Sequence, residues 1–156
     1  METQNKIQYK GKVHRVLAHS YITYFVLLLI GIYLDMIYKI KIFSNPTIKP
    51  MGIIFLILAT FIIIWAQKTG HEFRKVSEKR AEHFHQGPYR YSRIPTHWGL
   101  FLLIFGFGII SNSFFVVLST IISFFISKFI FINKHDKILE IKYGVHYLEY
   151  KKLVKF

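Results

Sequence analysis

The chain has 156 residues, of which 53% are hydrophobic, and a formal net charge of +13. This length suits one domain, and a soluble domain of this size cannot bury so many apolar side chains, which excludes the ordinary soluble class. The basic residues lie between the apolar runs, as they do in membrane proteins, so we do not expect nucleic acid as their partner. The chain has no cysteine, which excludes disulfides, thiolate metal sites and a cysteine nucleophile.

Four apolar runs predict an all-α integral membrane protein in which residues 1–156 form a single multi-pass domain. A helix needs roughly 20 apolar residues to cross the hydrocarbon core, and the length of each run is compared with that number. The predicted transmembrane helices lie at about residues 20–38, 51–67, 97–110 and 114–132. The first run is too long for a signal-peptide core and lacks a small-residue cleavage pattern, so we expect it to be retained as an anchor. Ser111, Asn112 and Ser113 separate the last two runs, which predicts a tight helical hairpin.

Lysine and arginine concentrate in the N-terminal tail, in a central loop at residues 67–93 and in the C-terminal segment after residue 133. With four crossings, these three segments lie on one side of the membrane. The opposite side receives Lys39, Lys41 and Lys49. Because basic residues mark the cytoplasmic side, we expect both termini and the central loop to be cytoplasmic. The Lys- and Ile-rich composition is typical of an AT-rich prokaryotic genome, so the membrane we expect is a prokaryotic cytoplasmic membrane.

The C-terminal segment at about residues 134–152 is predicted to form one amphipathic helix. Two carboxylates and three phenols fall on one face of that helix: Asp136, Glu140, Tyr143, Tyr147 and Tyr150. Aliphatic side chains fall on the opposite face. The spacing leaves two interpretations open, a helix at the membrane surface with a solvated acidic stripe and a helix that presents this stripe to a polar ligand.

A polar segment stands directly before the third apolar run, where residues 87–99 read GPYRYSRIPTHWG. Its prolines stop the flanking helices from continuing through it, and its arginines and tyrosines suit a site at a membrane surface. The segment resembles the core motif of the isoprenylcysteine carboxyl methyltransferase family, whose relatives include the small phospholipid N-methyltransferases. Residues 135–150, HDKILEIKYGVHYLEY, resemble the acidic second motif of that family at matching spacing. The two motifs stand in the family's order, and the match covers about residues 86–153.

The resemblance implies a methyltransferase with S-adenosylmethionine as cofactor, bound between the central loop and the C-terminal helix. The implied cofactor-binding residues are Gly87, Tyr89, Arg90, Tyr91, Pro95, Asp136, Glu140, Tyr143 and Tyr147. The carboxylates would hold the ammonium or the ribose hydroxyls, tyrosine rings would receive the cation, and an arginine would pair with the cofactor carboxylate. We expect no metal, because His83 and His85 offer two ligands in a solvated loop.

The acceptor implied by the resemblance is a lipophilic molecule from the bilayer, first of all a carboxylate of isoprenylcysteine type. Arg93 and His97 are the candidate catalytic residues. The guanidinium of Arg93 suits a carboxylate acceptor, whereas an amine acceptor such as a phospholipid needs a base, for which His97 is the nearest candidate. The alternative for Arg93 is an anchor for lipid phosphates, and the alternative for His97 is a polar side chain at the start of the third helix.

Four residues depart from the family pattern. Ile94 stands where the family usually has histidine, and His97 stands where it usually has an aromatic residue. His135 and Asp136 replace two glutamates. Because of these departures, a second interpretation stays open, in which the chain is a non-catalytic membrane protein that binds lipids or a protein partner. A reductase is a further alternative, because sterol reductases have a similar membrane architecture, but this chain is short for their larger set of helices.

Overall fold

The computed structural model describes residues 2–44, 46–75 and 86–154. Within these ranges the chain is helical and has no strand. The helices are α1 (Glu2–Tyr38), α2 (Lys49–Lys75), α3 (Pro95–Ser111), α4 (Phe114–Ile126), α5 (Asn133–Tyr143) and α6 (Val145–Leu153). Short 3-10 turns occupy Pro46–Ile48 and Gly87–Arg90, and a π-helical segment at Ser127–Ile132 joins α4 to α5 without a break.

In the described part of the chain, three stretches of helix are long and apolar enough to cross a membrane, namely Arg15–Tyr38, Lys49–His71 and Phe114–Ile141. The apolar helix α3 has 17 residues and is therefore about 26 Å long, slightly less than the hydrocarbon core. It begins at Pro95, whose ring suits the first helical position, and ends at Asn112 in the left-handed conformation. The predicted all-α membrane fold is confirmed.

Glycines allow the helices to approach one another closely. A Cβ atom on Gly106 would lie 2.8 Å from the carbonyl oxygen of Gly52, so α3 packs directly on the backbone of α2. A Cβ atom on Gly31 would lie 2.9 Å from the carbonyl oxygen of Phe115, so α1 approaches α4 in the same way. Small residues support such packing in lipid, where no hydrophobic force drives helices together. The helices therefore pack in the order α2, α3, α4, α1, and α5 also contacts α1.

Asn112 joins the α3–α4 turn to the connection between α1 and α2. Its Oδ1 accepts hydrogen bonds from the backbone N–H groups of Ile42 and Phe43 at 3.0 and 2.9 Å. Its Nδ2 donates to the carbonyl oxygen of Phe43 at 2.8 Å, and Ser113 Oγ donates to Asp35 Oδ2 at 2.9 Å. Both connections thus lie at one end of the bundle, as four crossings require.

The topology can be checked with a cysteine at Ser111, since the natural chain contains none. Ser111 is exposed, whereas Asn112 makes the three bonds described above and should be left intact. We expect a membrane-impermeant maleimide to label Ser111→Cys in intact cells from outside, because the basic flanks direct this turn away from the cytoplasm. Labelling of that cysteine from the cytoplasmic side alone would contradict the predicted orientation.

The prediction of one continuous C-terminal helix over residues 134–152 is wrong. Gly144 has φ +57°, in the left-handed region that glycine adopts without strain, and α5 ends there. Residues eleven apart would be separated by about 16 Å along a straight helix. Here Tyr147 instead contacts Asp136, and Lys151 contacts Glu140. The chain therefore bends at Gly144, so that α6 packs against α5.

The π-helical segment changes which residues of the long α4–α5 helix face the interior. Ser119, Ser123 and Ser127 are buried and follow one another at intervals of four, as in an α-helix. The next buried positions are Ile132 and Asp136, at intervals of five and four. A π turn bonds residue i to i+5, and this shifts the buried face by one residue. Asp136 consequently faces the interior.

Candidate functional site

Asp136 is the centre of a polar cluster between the two sequence motifs. It is 3% exposed and accepts hydrogen bonds from Arg93 Nη1 and from the hydroxyl of Tyr147, the latter at 2.6 Å. Arg93 stands in the segment before α3, whereas Asp136 belongs to α5 and Tyr147 to α6. A buried carboxylate requires a counter-charge and hydrogen-bond donors, and Asp136 has both. The cluster thus joins the arginine of the first motif to the acidic residue of the second.

Glu140 and Lys151 extend this cluster by one helical turn. Lys151 Nζ lies 2.5 Å from Glu140 Oε1 and 3.9 Å from Asp136 Oδ2. The Lys151 side chain is 40% exposed, and that of Glu140 is partly buried. Two cations and two carboxylates therefore meet at the junction of α5 and α6, with the exposed lysine on the outer side.

Tyr150 ties α6 to the first motif. Its hydroxyl donates to the carbonyl oxygen of Tyr89 at 2.6 Å. Tyr147 and Tyr150 are buried with Val154, and Tyr143 and Leu139 pack against them. The 3-10 turn that carries Tyr89 starts at Gly87, where φ is +57° and a Cβ atom would lie 2.5 Å from Thr69 Oγ1 of α2. A glycine is required there for both reasons.

Both buried phenols stay protonated at physiological pH. Burial raises the pKa of Tyr147, and its hydrogen bond to Asp136 raises that pKa further, because the phenol is the donor. Burial likewise raises the pKa of Tyr150, against a smaller opposing effect of the nearby Arg93 cation. The two residues therefore act as neutral hydrogen-bond donors that hold Asp136 and the first motif in place.

His97 lies in a second polar cluster, inside the helix bundle. It is 3% exposed, and its Nδ1 lies 3.4 Å from Ser20 Oγ of α1. Ser20 Oγ lies 2.7 Å from Ser127 Oγ at the start of the π-helical segment. The rings of Tyr21 and Tyr24 lie 5.8 and 6.4 Å from the imidazole ring, centroid to centroid. Buried polar groups within a membrane-spanning region commonly mark a functional site.

A cleft of about 420 Å³ opens beside this second cluster, between α1, α2 and α3. Most of its lining is aliphatic or aromatic, and its polar groups come from Tyr21, Tyr24, Gln67 and Thr96. Among the residues that the structure describes, no charged side chain lines it. Tyr21 and Phe25 are exposed on the lipid-facing surface, so the cleft is accessible from the side of the bundle. Its size and apolar lining suit part of a lipid chain.

The structure separates the residues implied by the resemblance into two groups. Arg93, Asp136, Glu140, Tyr143 and Tyr147 meet around the first cluster, and Tyr89 reaches it through its carbonyl group.

The other implied residues lie elsewhere. Arg90 is exposed, Tyr91 is 73% exposed and Pro95 is buried at the start of α3. Arg90 and Tyr91 therefore lie at the surface in this conformation. His83 and His85, considered as metal ligands, lie outside the described residues.

Sequence reasoning did not assign Lys151, Tyr150, Ser20 or Ser127 to the site. Tyr150 shares the predicted polar face with Asp136, and that spacing was a usable signal. Lys151 gave no such signal, because in one straight helix it lies far along the axis from Glu140. Ser20 and Ser127 meet through the packing of α1 on the π-helical segment, which local sequence does not reveal.

A family model described as phospholipid methyltransferase matches residues 48–145, more than half of the chain. This range contains the first motif and most of the second. The family includes isoprenylcysteine carboxyl methyltransferase-like proteins, so the resemblance drawn from the two motifs is confirmed. No significant match was found among curated proteins or among solved structures.

Proposed function

The chain belongs to the phospholipid methyltransferase family, and from this premise we propose that it transfers a methyl group from S-adenosylmethionine to a lipophilic acceptor in the membrane. The observation that carries the proposal is the contact of Arg93 with Asp136 and of Asp136 with Tyr147. This contact unites the two motifs of the family in one buried cluster. A shared cluster is what a site built from both motifs requires.

The donor set of the cluster fits the proposed cofactor. Asp136 and Glu140 already hold the ammonium group of Lys151, so they have the geometry and charge to hold the ammonium of an amino acid. Tyr143 and Tyr147 supply aromatic surface beside them, and such surface attracts a cation. When bound, the cofactor supplies a methyl group on a positively charged sulfur. The protein contributes alignment of the acceptor and exclusion of water.

Arg93 acts in this proposal chiefly by fixing Asp136. Its guanidinium is largely buried and paired with that carboxylate. A carboxylate acceptor of isoprenylcysteine type would have to share Arg93 with Asp136. The resemblance keeps that acceptor as our first candidate. It is compatible with the pairing of Arg93 and Asp136, because a guanidinium has five N–H donors and can bind two carboxylates.

A phospholipid amine is the second candidate acceptor, and the neutral cleft beside His97 favours it. Tyr21 lines that cleft and its ring neighbours the imidazole of His97. An amine must lose a proton to become nucleophilic, and in this proposal the imidazole of His97 accepts that proton. The neutral polar rim of Gln67 and Thr96 would orient such a headgroup through hydrogen bonds.

We expect the detergent-purified protein to bind S-adenosylmethionine and its demethylated product, and not a nicotinamide nucleotide. Equilibrium dialysis with the three ligands checks this. Methyl transfer from labelled cofactor is then measured into a prenylated cysteine analogue and, separately, into phosphatidylethanolamine vesicles. Label in the first acceptor supports the carboxylate and label in the second supports the amine. Binding of the nicotinamide nucleotide alone would favour a reductase, and binding of none of the three would contradict the proposal.

A further inference from the structure

Lys151 places its ammonium group beside the carboxylates of Glu140 and Asp136. Its Nζ lies between two carboxylate oxygens, at 2.5 Å from Glu140 and 3.9 Å from Asp136. The helix that carries Lys151 is itself held in place, because Tyr147 bonds to Asp136 and Tyr150 bonds to the carbonyl of Tyr89. The lysine side chain is 40% exposed. It can therefore leave the carboxylates without any movement of α6.

The charges of the cluster balance while Lys151 is present. Arg93 and Lys151 offset Asp136 and Glu140, so the four side chains have no net charge. S-adenosylmethionine carries a sulfonium, an ammonium and one carboxylate, and so bears a net single positive charge. A cluster without net charge attracts this cation less strongly than a negatively charged cluster does. Once the lysine has withdrawn, the remaining three side chains bear a net single negative charge, which complements the cofactor.

We propose that Lys151 is a built-in competitor for the cofactor, whose ammonium group must displace the lysine from Glu140 and Asp136. This inference rests on the proposed function, and it assigns Lys151 a role in setting cofactor affinity. The exchange replaces one charge-assisted hydrogen bond by another, so the two carboxylates are paired with or without ligand. The cluster thereby avoids the cost of unpaired buried charge, which would otherwise destabilise the free protein.

The test is the binding of two ligands to Lys151→Met, which keeps an unbranched side chain one atom shorter and removes its charge. S-adenosylmethionine carries the competing ammonium, whereas 5′-methylthioadenosine keeps the adenosine and a methylated sulfur but is uncharged and has no amino acid portion. We expect Lys151→Met to bind S-adenosylmethionine at least about threefold more tightly than wild type, the scale of a partly exposed ion pair. The affinity for 5′-methylthioadenosine should not change.

Lys152→Met is the matched control, since Lys152 is the exposed neighbour and the change in net charge is the same. It should leave both affinities at the wild-type value. Lys151→Arg retains a cation at the cluster and should bind S-adenosylmethionine no more tightly than wild type. This variant keeps the inference testable if Lys151→Met does not fold.

Weaker binding of S-adenosylmethionine by Lys151→Met would show that the lysine helps to hold the cofactor, and would overturn the inference. Equal binding would overturn it as well, as would tighter binding by Lys151→Arg. In these cases the proposed function stands, because the wild-type protein still binds the cofactor. If wild type and all variants bind neither ligand, the proposed function fails together with the inference.

Discussion

Replacement of Asp136 by alanine is expected to lower the free energy of unfolding by about 3 kcal/mol, the scale for removing one partner of a buried ion pair. Asp136 is almost fully buried, and its loss leaves the largely buried guanidinium of Arg93 without this counter-charge. The hydroxyl of Tyr147 also loses its acceptor. The same change should weaken cofactor binding by about 1.5–3 kcal/mol, because a charge-assisted hydrogen bond is removed. Thermal unfolding in detergent and equilibrium binding measure the two effects.

Glu149→Ala is the control for Asp136→Ala. Glu149 lies on α6 close to the cluster in sequence, and it is exposed. Surface substitutions of this kind usually change stability by less than about 0.5 kcal/mol. If Glu149→Ala lost as much cofactor affinity as Asp136→Ala while remaining folded, the position that we assign to the cofactor would be wrong.

Arg93→Lys is expected to reduce methyl transfer at least about tenfold, equivalent to roughly 1.4 kcal/mol of transition-state stabilisation. Lysine retains the charge but loses the planar fork of donors that pairs with Asp136 and remains available to an anionic group. Turnover is measured with labelled S-adenosylmethionine at matched protein levels. Arg15→Lys makes the same exchange at an exposed position on α1 and should be silent.

Two outcomes separate the possible roles of Arg93. Wild-type turnover in Arg93→Lys would leave Arg93 as an anchor for lipid phosphates, the alternative that the sequence also allows. If Arg93 acts through Asp136, the effects of Arg93→Lys and Asp136→Ala on cofactor binding should not add in the double variant. Additive effects would contradict a shared role.

Local sequence determined the fold class and the family of this protein. Four apolar runs separated by basic segments predict membrane helices, because the thickness and apolar interior of the bilayer set the length and composition of a helix that crosses it. The two motifs are short and contiguous, so they identify the family without knowledge of the packing. The acidic and tyrosine pattern of residues 136–150 also pointed to Asp136, Glu140 and Tyr147, although the single helix on which that face was drawn ends at Gly144.

Tertiary structure alone decided how these residues meet. Gly144 is a single glycine in a helical pattern, and sequence does not show that the chain bends there and brings Lys151 to Glu140. The π-helical segment at Ser127–Ile132 shifts the buried face by one residue and so directs Asp136 to Arg93. Both features depend on packing between helices distant in the chain. Periodicity describes one helix at a time, and the ion pairs of this site form between separate elements.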